Sequence, residues 1–160
     1  MEYRYYFNED ITAETINNLV EKLQAVEGKI ELWFSTSGGD TSVMAFLISF
    51  LNSRKDDITV VLTNKIYSAG THILIDFKGK TKIEDLEVVL FHIADRETYR
   101  FRKDSYITNQ KILSKQDEEY NIKFAEKIKK RGLLTDKQVK NFLNGKDVVL
   151  YQDSFSKWKL

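Results

Sequence analysis

Cysteine is absent from this 160-residue chain. That excludes disulfides, thiolate metal sites and a cysteine nucleophile together, and leaves the redox compartment open. Proline is absent as well. Histidine occurs twice, as His72 and His92, too few for a histidine-based metal site, and no cofactor is expected. Neither sign of charge prevails: 25 Lys and Arg face 24 Asp and Glu, a net charge of +1. No basic field advertises nucleic acid and no acidic one a cationic partner. No apolar run approaches the ~18 residues that a membrane span needs. The start, Met1-Glu2-Tyr3-Arg4, is polar, unlike a signal peptide, so a cytoplasmic protein with no membrane partner is expected.

Hydrophobic residues make up 42% of the chain and charged residues 31%, a balance typical of globular proteins. The length suits one domain, residues 1–160, with a sizeable core. Tyr3 to Phe7 alternates weakly and reads as a strand. Thr12 is a candidate N-cap for a helix carrying Ile16, Leu19, Val20, Leu23 and Val26, with Gly28 as its stop. Apolar runs at Ile30–Phe34, Ile58–Leu62 and Val88–Phe91 read as buried strands. Between them, Asp40 or Thr41 caps a helix with Val43, Met44, Leu47, Phe50 and Leu51. A further helix starts near Ser68 and carries Ala69, Ile73, Leu74 and Phe77. This alternation predicts an α/β fold with right-handed parallel crossovers and a sheet covered on both faces.

From Tyr106 to Arg131 the pattern is one long charged helix with a thin apolar line through Leu113, Tyr120, Phe124 and Ile128. Such a stripe predicts an arm that packs on one neighbour and otherwise stands in water. Lys127, Lys129, Lys130 and Arg131 cluster near its end, but interleaved acids and the helix dipole favour a solvated helix over nucleic-acid binding. A shorter helix spans Thr135 to Asn144, with Val139 and Phe142 inward and Gly145 as its stop. Val148 to Tyr151 reads as a strand.

Three of these strands end in residues with chemistry. Ile30–Phe34 leads to Gly38-Gly39, Ile58–Leu62 leads to Ser68, and Val88–Phe91 leads to His92. Open α/β sheets build sites at the carboxyl ends of strands, so the three are candidates for one crevice. Taken singly, each has a plain reading: Ser68 as an N-cap, the glycines as a tight turn, His92 as a half-buried strand end. Together they match nucleophilic acyl chemistry. Ser68 supplies the nucleophile, His92 is the candidate general base, and backbone N–H groups of Gly38 or Gly39 and of Ala69 hold an oxyanion. His72, one turn beyond Ser68, is read as structural.

The ensemble Ser35 to Gly39, Tyr67 to Gly70 and Leu90 to His92 resembles the Clp protease proteolytic subunit family, within the ClpP/crotonase fold. The resemblance implies stacked parallel strands with covering helices and a protruding helical arm, here 106–131, that docks rings or subunits face to face. It implies Ser68 as nucleophile, His92 as base, and Gly39 (or Gly38) with Ala69 as the oxyanion hole. The family's third member follows the short helix after the arm and is usually Asp. That place falls near Leu143 or Asn144, with Asp147 three residues beyond Asn144, so Asn144 and Asp147 are both candidates. Asn64 stands where the family usually has glycine, Ser37 replaces the proline of Ser-Pro-Gly-Gly, and Ile93-Ala94 replaces the familiar Gln-Pro. Met1 lies almost at the first core strand, so the family's axial-loop segment is expected to be missing, and docking of an unfoldase ATPase stays open. The expected function is a homo-oligomeric serine peptidase acting on peptides or unfolded protein. The alternatives are a catalytically silent subunit kept for assembly or peptide binding and, last, a crotonase-type acyl-CoA enzyme.

Overall fold

Ile30, Leu32 and Phe34 lie in register beside Ile58, Val60 and Leu62 on the neighbouring strand, and all six are buried. Side chains two apart share one face of a strand, so these pairs form a continuous apolar face. The computed structural model describes residues 2–93, 103–155, 157, 158 and 160. Its elements are β1 (Glu2–Asn8), α1 (Ala13–Gln24), β2 (Lys29–Thr36), α2 (Thr41–Ser53), β3 (Ile58–Tyr67), a 3-10 turn (Ser68–Thr71), α3 (His72–Asp76), β4 (Lys80–Phe91), α4 (Lys103–Lys130), α5 (Asp136–Leu143), β5 (Val148–Tyr151) and α6 (Gln152–Phe155). The contacts divide the chain into two compact units, Met1–Phe91 with Val149–Leu160, and His92–Val148.

In the first unit the sheet runs in chain order, β1-β2-β3-β4-β5, with β1 to β4 pairing in parallel. Each crossover steps the same way, so right-handed connections put α1, α2 and α3 on one face. Ile16, Leu19, Val20 and Leu23 of α1, with Met44, Leu47, Ile48 and Leu51 of α2, are the buried stripes of these helices. Phe7 stacks on Phe34 with ring centroids 5.2 Å apart. The opposite face carries the rows Arg4–Glu31–Thr59–Lys80 and Tyr6–Trp33–Val61–Lys82.

Helix ends reflect local chemistry. Thr12 caps α1 in a capping box with Thr15, and Asp40 caps α2 through the N–H groups of Ser42 and Val43. The stop of α1 differs from expectation. It ends at Gln24, before Gly28, and the Arg54 guanidinium donates to the Leu23 and Val26 carbonyls that the helix leaves open.

The strands lengthen along the sheet, from 7 residues in β1 to 12 in β4. The register slips between Phe34 and Thr36 on β2, and again around Asn64 on β3. Asn64 and Asp85 hold the left-handed conformation there, φ 54° and 52°. Such extra residues bend a strand and re-aim its C-terminal end, and the end of β3 carries Ser68.

In the second unit α4 and α5 form a hairpin. Phe124 meets Phe142 at 5.9 Å between ring centroids, and Ile128, Leu133 and Phe142 are buried. Over the described stretch from Lys115 to Lys130, α4 meets α5 at Phe124 and leaves most of its other positions exposed, as a helix with one thin apolar line would. The side chain of Leu113 lies outside the described ones. Among the described residues no helix is long and apolar enough to cross a membrane.

Candidate functional site

Ser68 leaves β3 where Tyr67 pairs with Leu90 of β4. Its φ is +53°, a left-handed conformation at the first residue of the 3-10 turn. Serine has no special preference for this region, which costs an L residue roughly 1–2 kcal/mol. Two contacts belong to that conformation. The Thr71 hydroxyl donates to the Ser68 carbonyl at 2.6 Å, and Gly38 lies directly against the Ser68 side chain. A Cβ on Gly38 would stand 2.6 Å from Ser68 Cβ and 3.3 Å from Ser68 Oγ. Nothing larger than glycine fits beside this serine without a shift.

The glycine turn is itself left-handed, with φ +101° at Gly38 and +144° at Gly39. Its hydrogen bonds separate the two. Gly38 N–H donates to Thr36 Oγ1 at 3.0 Å, and the Gly38 carbonyl accepts from Ile11 N–H at 2.8 Å. Asp40 N–H donates to the Ile11 carbonyl at 3.0 Å. Gly38 is buried and Gly39 is exposed, and among the described residues Gly39 N–H has no acceptor. Of the two expected oxyanion donors, Gly39 is thus the one with its N–H uncommitted. Ala69 N–H belongs to the first turn after Ser68, where N–H groups lack intrahelical acceptors. An open groove of about 670 Å³, bordered by Ile11, Thr12, Ser37, Gly39 and Val43, flanks the glycine turn. On its rim the Ser42 hydroxyl, then the Val43 and Ser42 N–H groups, hold the Asp40 carboxyl below its ordinary range.

Gly38, Gly39, Ser68 and Ala69 therefore converge in the first unit. The other expected residues, His92, Asn144 and Asp147, belong to the second unit. All three are exposed, and His92 comes directly after the last residue of β4. Asn144 is the C-cap of α5, closed by bonds from Gly145 N–H to Phe142 O and from Lys146 N–H to Asn141 O. This paired closure needs a left-handed residue after the cap, and Gly145 supplies it at φ +75°. A Cβ on Gly145 would lie 3.6 Å from Ile93 Cδ1, so the turn holding Asn144 sits against the neighbour of His92. Asp147 directly precedes β5. His72 has its Nδ1 3.0 Å from Asp76 Oδ2, one turn on in α3.

Two groups carry no clear mark in the sequence. Thr36 is buried between the glycine turn and the Ser68 turn, and its one signal was a hydroxyl two residues before a glycine. Glu31, also buried, receives Lys82 Nζ at 2.6 Å, Arg4 Nη2 at 3.1 Å and Trp33 Nε1 at 3.3 Å. The Lys82 bond, then those from Trp33 and Arg4, outweighs desolvation and holds the Glu31 carboxyl below its ordinary range. No isolated sequence pattern marks a network drawn from three strands. Compared with known proteins, the chain matches no family model and no curated sequence.

Proposed function

We propose that the chain is a ClpP-like serine peptidase that hydrolyses peptide bonds through an acyl-enzyme. The observation that carries this reading is Ser68, held left-handed at a strand-to-helix junction with Gly38 against its side chain. Strained serines at such junctions expose their hydroxyl to substrate, and strain of this kind concentrates at functional sites. In this mechanism Ser68 Oγ attacks the peptide carbonyl and His92 accepts its proton. The N–H groups of Gly39 and Ala69 hold the oxyanion. His92 returns the proton to the departing amine as the C–N bond breaks, and water then releases the acyl group by the same route. The third member of this reading, Asn144 or Asp147, orients the His92 ring. The groove beside Gly39 has the volume of a small-ligand site, and in this reading part of the peptide lies there.

The subunit self-associates and works in the cytoplasm in this reading. Asparagine in the third position favours a second reading, a silent subunit of the same assembly, because an amide cannot stabilise an imidazolium by charge. A serine-directed fluorophosphonate separates the two. The expected result is covalent labelling of the wild type that Ser68→Ala abolishes while the circular dichroism spectrum is kept. Labelling that survives the substitution would sink the peptidase reading, and a wild type inert to the probe would favour the silent subunit.

A further inference from the structure

Thr36 ends β2 and is 1% exposed, so both hydrogen-bonding capacities of its hydroxyl must be met inside the protein. They are. The hydroxyl donates to the Glu9 carbonyl at 2.8 Å and accepts the Gly38 N–H at 3.0 Å. The other branch of the side chain faces the Ser68 turn: a Cβ on Gly70 would stand 2.3 Å from Thr36 Cγ2. One buried side chain thus touches the segment entering α1, the glycine turn and the turn that begins at Ser68.

We propose that Thr36 is the positioning residue of this site, setting the glycine turn against Ser68 and deciding which glycine N–H stays available. Its catalytic meaning rests on the peptidase reading of Ser68; its geometric meaning does not. The hydrogen bonds form a relay along the backbone. Thr36 takes the Gly38 N–H, Ile11 N–H takes the Gly38 carbonyl, and the Ile11 carbonyl takes the Asp40 N–H. With its neighbours held on both sides, the Gly39 peptide has its orientation fixed and its N–H left over for an oxyanion. Without the hydroxyl, Gly38 N–H and the Glu9 carbonyl lose their partner, and the turn gains freedom to rotate Gly38 N–H outward in place of Gly39 N–H. The methyl acts separately. It fills the space over Gly70 and keeps the two turns at fixed spacing.

Residue-resolved amide hydrogen exchange on the intact protein, combined with fluorophosphonate kinetics, tests this. In the wild type Gly38 N–H should exchange more slowly than Gly39 N–H by about tenfold or more, the protection expected of one buried hydrogen bond. Thr36→Val keeps the shape and removes the hydroxyl, so it should erase that difference; Thr36→Ser keeps the hydroxyl and should preserve it. At saturating probe, Thr36→Val should slow labelling by roughly tenfold, less than full loss of an oxyanion donor, with the half-saturating concentration unchanged. Thr36→Ser should recover most of the rate. Equal exchange of the two glycines in the wild type overturns the proposal without any variant, even if Thr36→Val fails to fold. So does a Thr36→Ser protein that behaves like Thr36→Val. A wild type that takes no label at all defeats the reading of Ser68 instead, and the exchange rates then decide the role of Thr36 alone.

Discussion

At the scale of single residues, Gly38 and Ser68 define each other. Gly38 has φ +101° and no room for a Cβ, whereas Gly132, left-handed at φ +66°, has nothing within 4 Å of where a Cβ would stand. The pair separates backbone strain from steric exclusion. Gly132→Ala should cost about 1 kcal/mol, lower the melting temperature by a few degrees and leave labelling of Ser68 unchanged. Gly38→Ala carries greater backbone strain, since φ +101° lies beyond the αL region, and must also displace Ser68 Cβ or the Tyr67 carbonyl. It should cost about 2–4 kcal/mol and slow labelling by at least tenfold. Calorimetry and probe kinetics on the two variants check this, and equal effects would show that the Gly38 contact contributes nothing specific. Asn64 shows the same logic in reverse. Its φ of 54° suits asparagine, which tolerates that region better than most residues.

Between strands, the Glu31 network offers a test that needs no substrate. A carboxyl lowered on folding contributes stability above its unfolded value, ordinarily 4.5, and loses it as the pH falls through the lower folded value. Glu31→Gln should therefore destabilise the protein by about 1 kcal/mol near neutral pH, a modest figure because Arg4 and Lys82 are part-exposed and solvated. Urea unfolding of wild type and variant from neutral pH down to about pH 3 should show the difference shrinking on the acid side. A gap independent of pH would assign the effect to shape rather than charge.

The strands themselves show how far the sequence could be read. Ile30–Phe34 and Ile58–Leu62 were legible because each is apolar at all but one position, Glu31 in the first and Thr59 in the second, and they lie within β2 and β3. The first eight residues of β4, Lys80–Glu87, escaped because only Leu86 among them is buried. A strand with so little core contact leaves no periodic trace. The end of α1 escaped because Arg54, 30 residues beyond the C-terminal Gln24, completes it. At the site, the glycine pair and the serine were legible through their order. Thr36 was not, since a threonine closing an apolar strand is what strand propensity alone would put there.

Across the whole molecule, the proposed self-association finds more open apolar surface on α2 than along Phe124 and Ile128 of α4. The apolar line of α4 is covered at Phe124 and Ile128, partly by α5, and asks for no second subunit there. Helix α2 does. Its 13 residues, Thr41–Ser53, contain no charge, and Phe46 is 50% exposed between half-buried Val43 and Phe50. Its other exposed positions are Thr41, Ser42, Ala45, Ser49 and Ser53, uncharged and small, so Phe46 stands out as the large apolar side chain on this side. On the other face of the sheet Tyr6 is 69% exposed, next to Trp33 at 5.6 Å between ring centroids. These are unlike surfaces on opposite sides of one subunit, and unlike surfaces that join generate head-to-tail assemblies, which close into rings when the rotation permits. The wild type should therefore scatter light as an oligomer well above the 18.8 kDa of one chain. Phe46→Asp, placing a charge where apolar contact of about 1–2 kcal/mol per copy is lost, should release monomer at micromolar concentration without unfolding it. Tyr6→Asp should do the same from the other side. A wild type that stays monomeric from micromolar to millimolar concentration removes self-association altogether, and oligomers of unchanged size in Phe46→Asp place the interface elsewhere than α2.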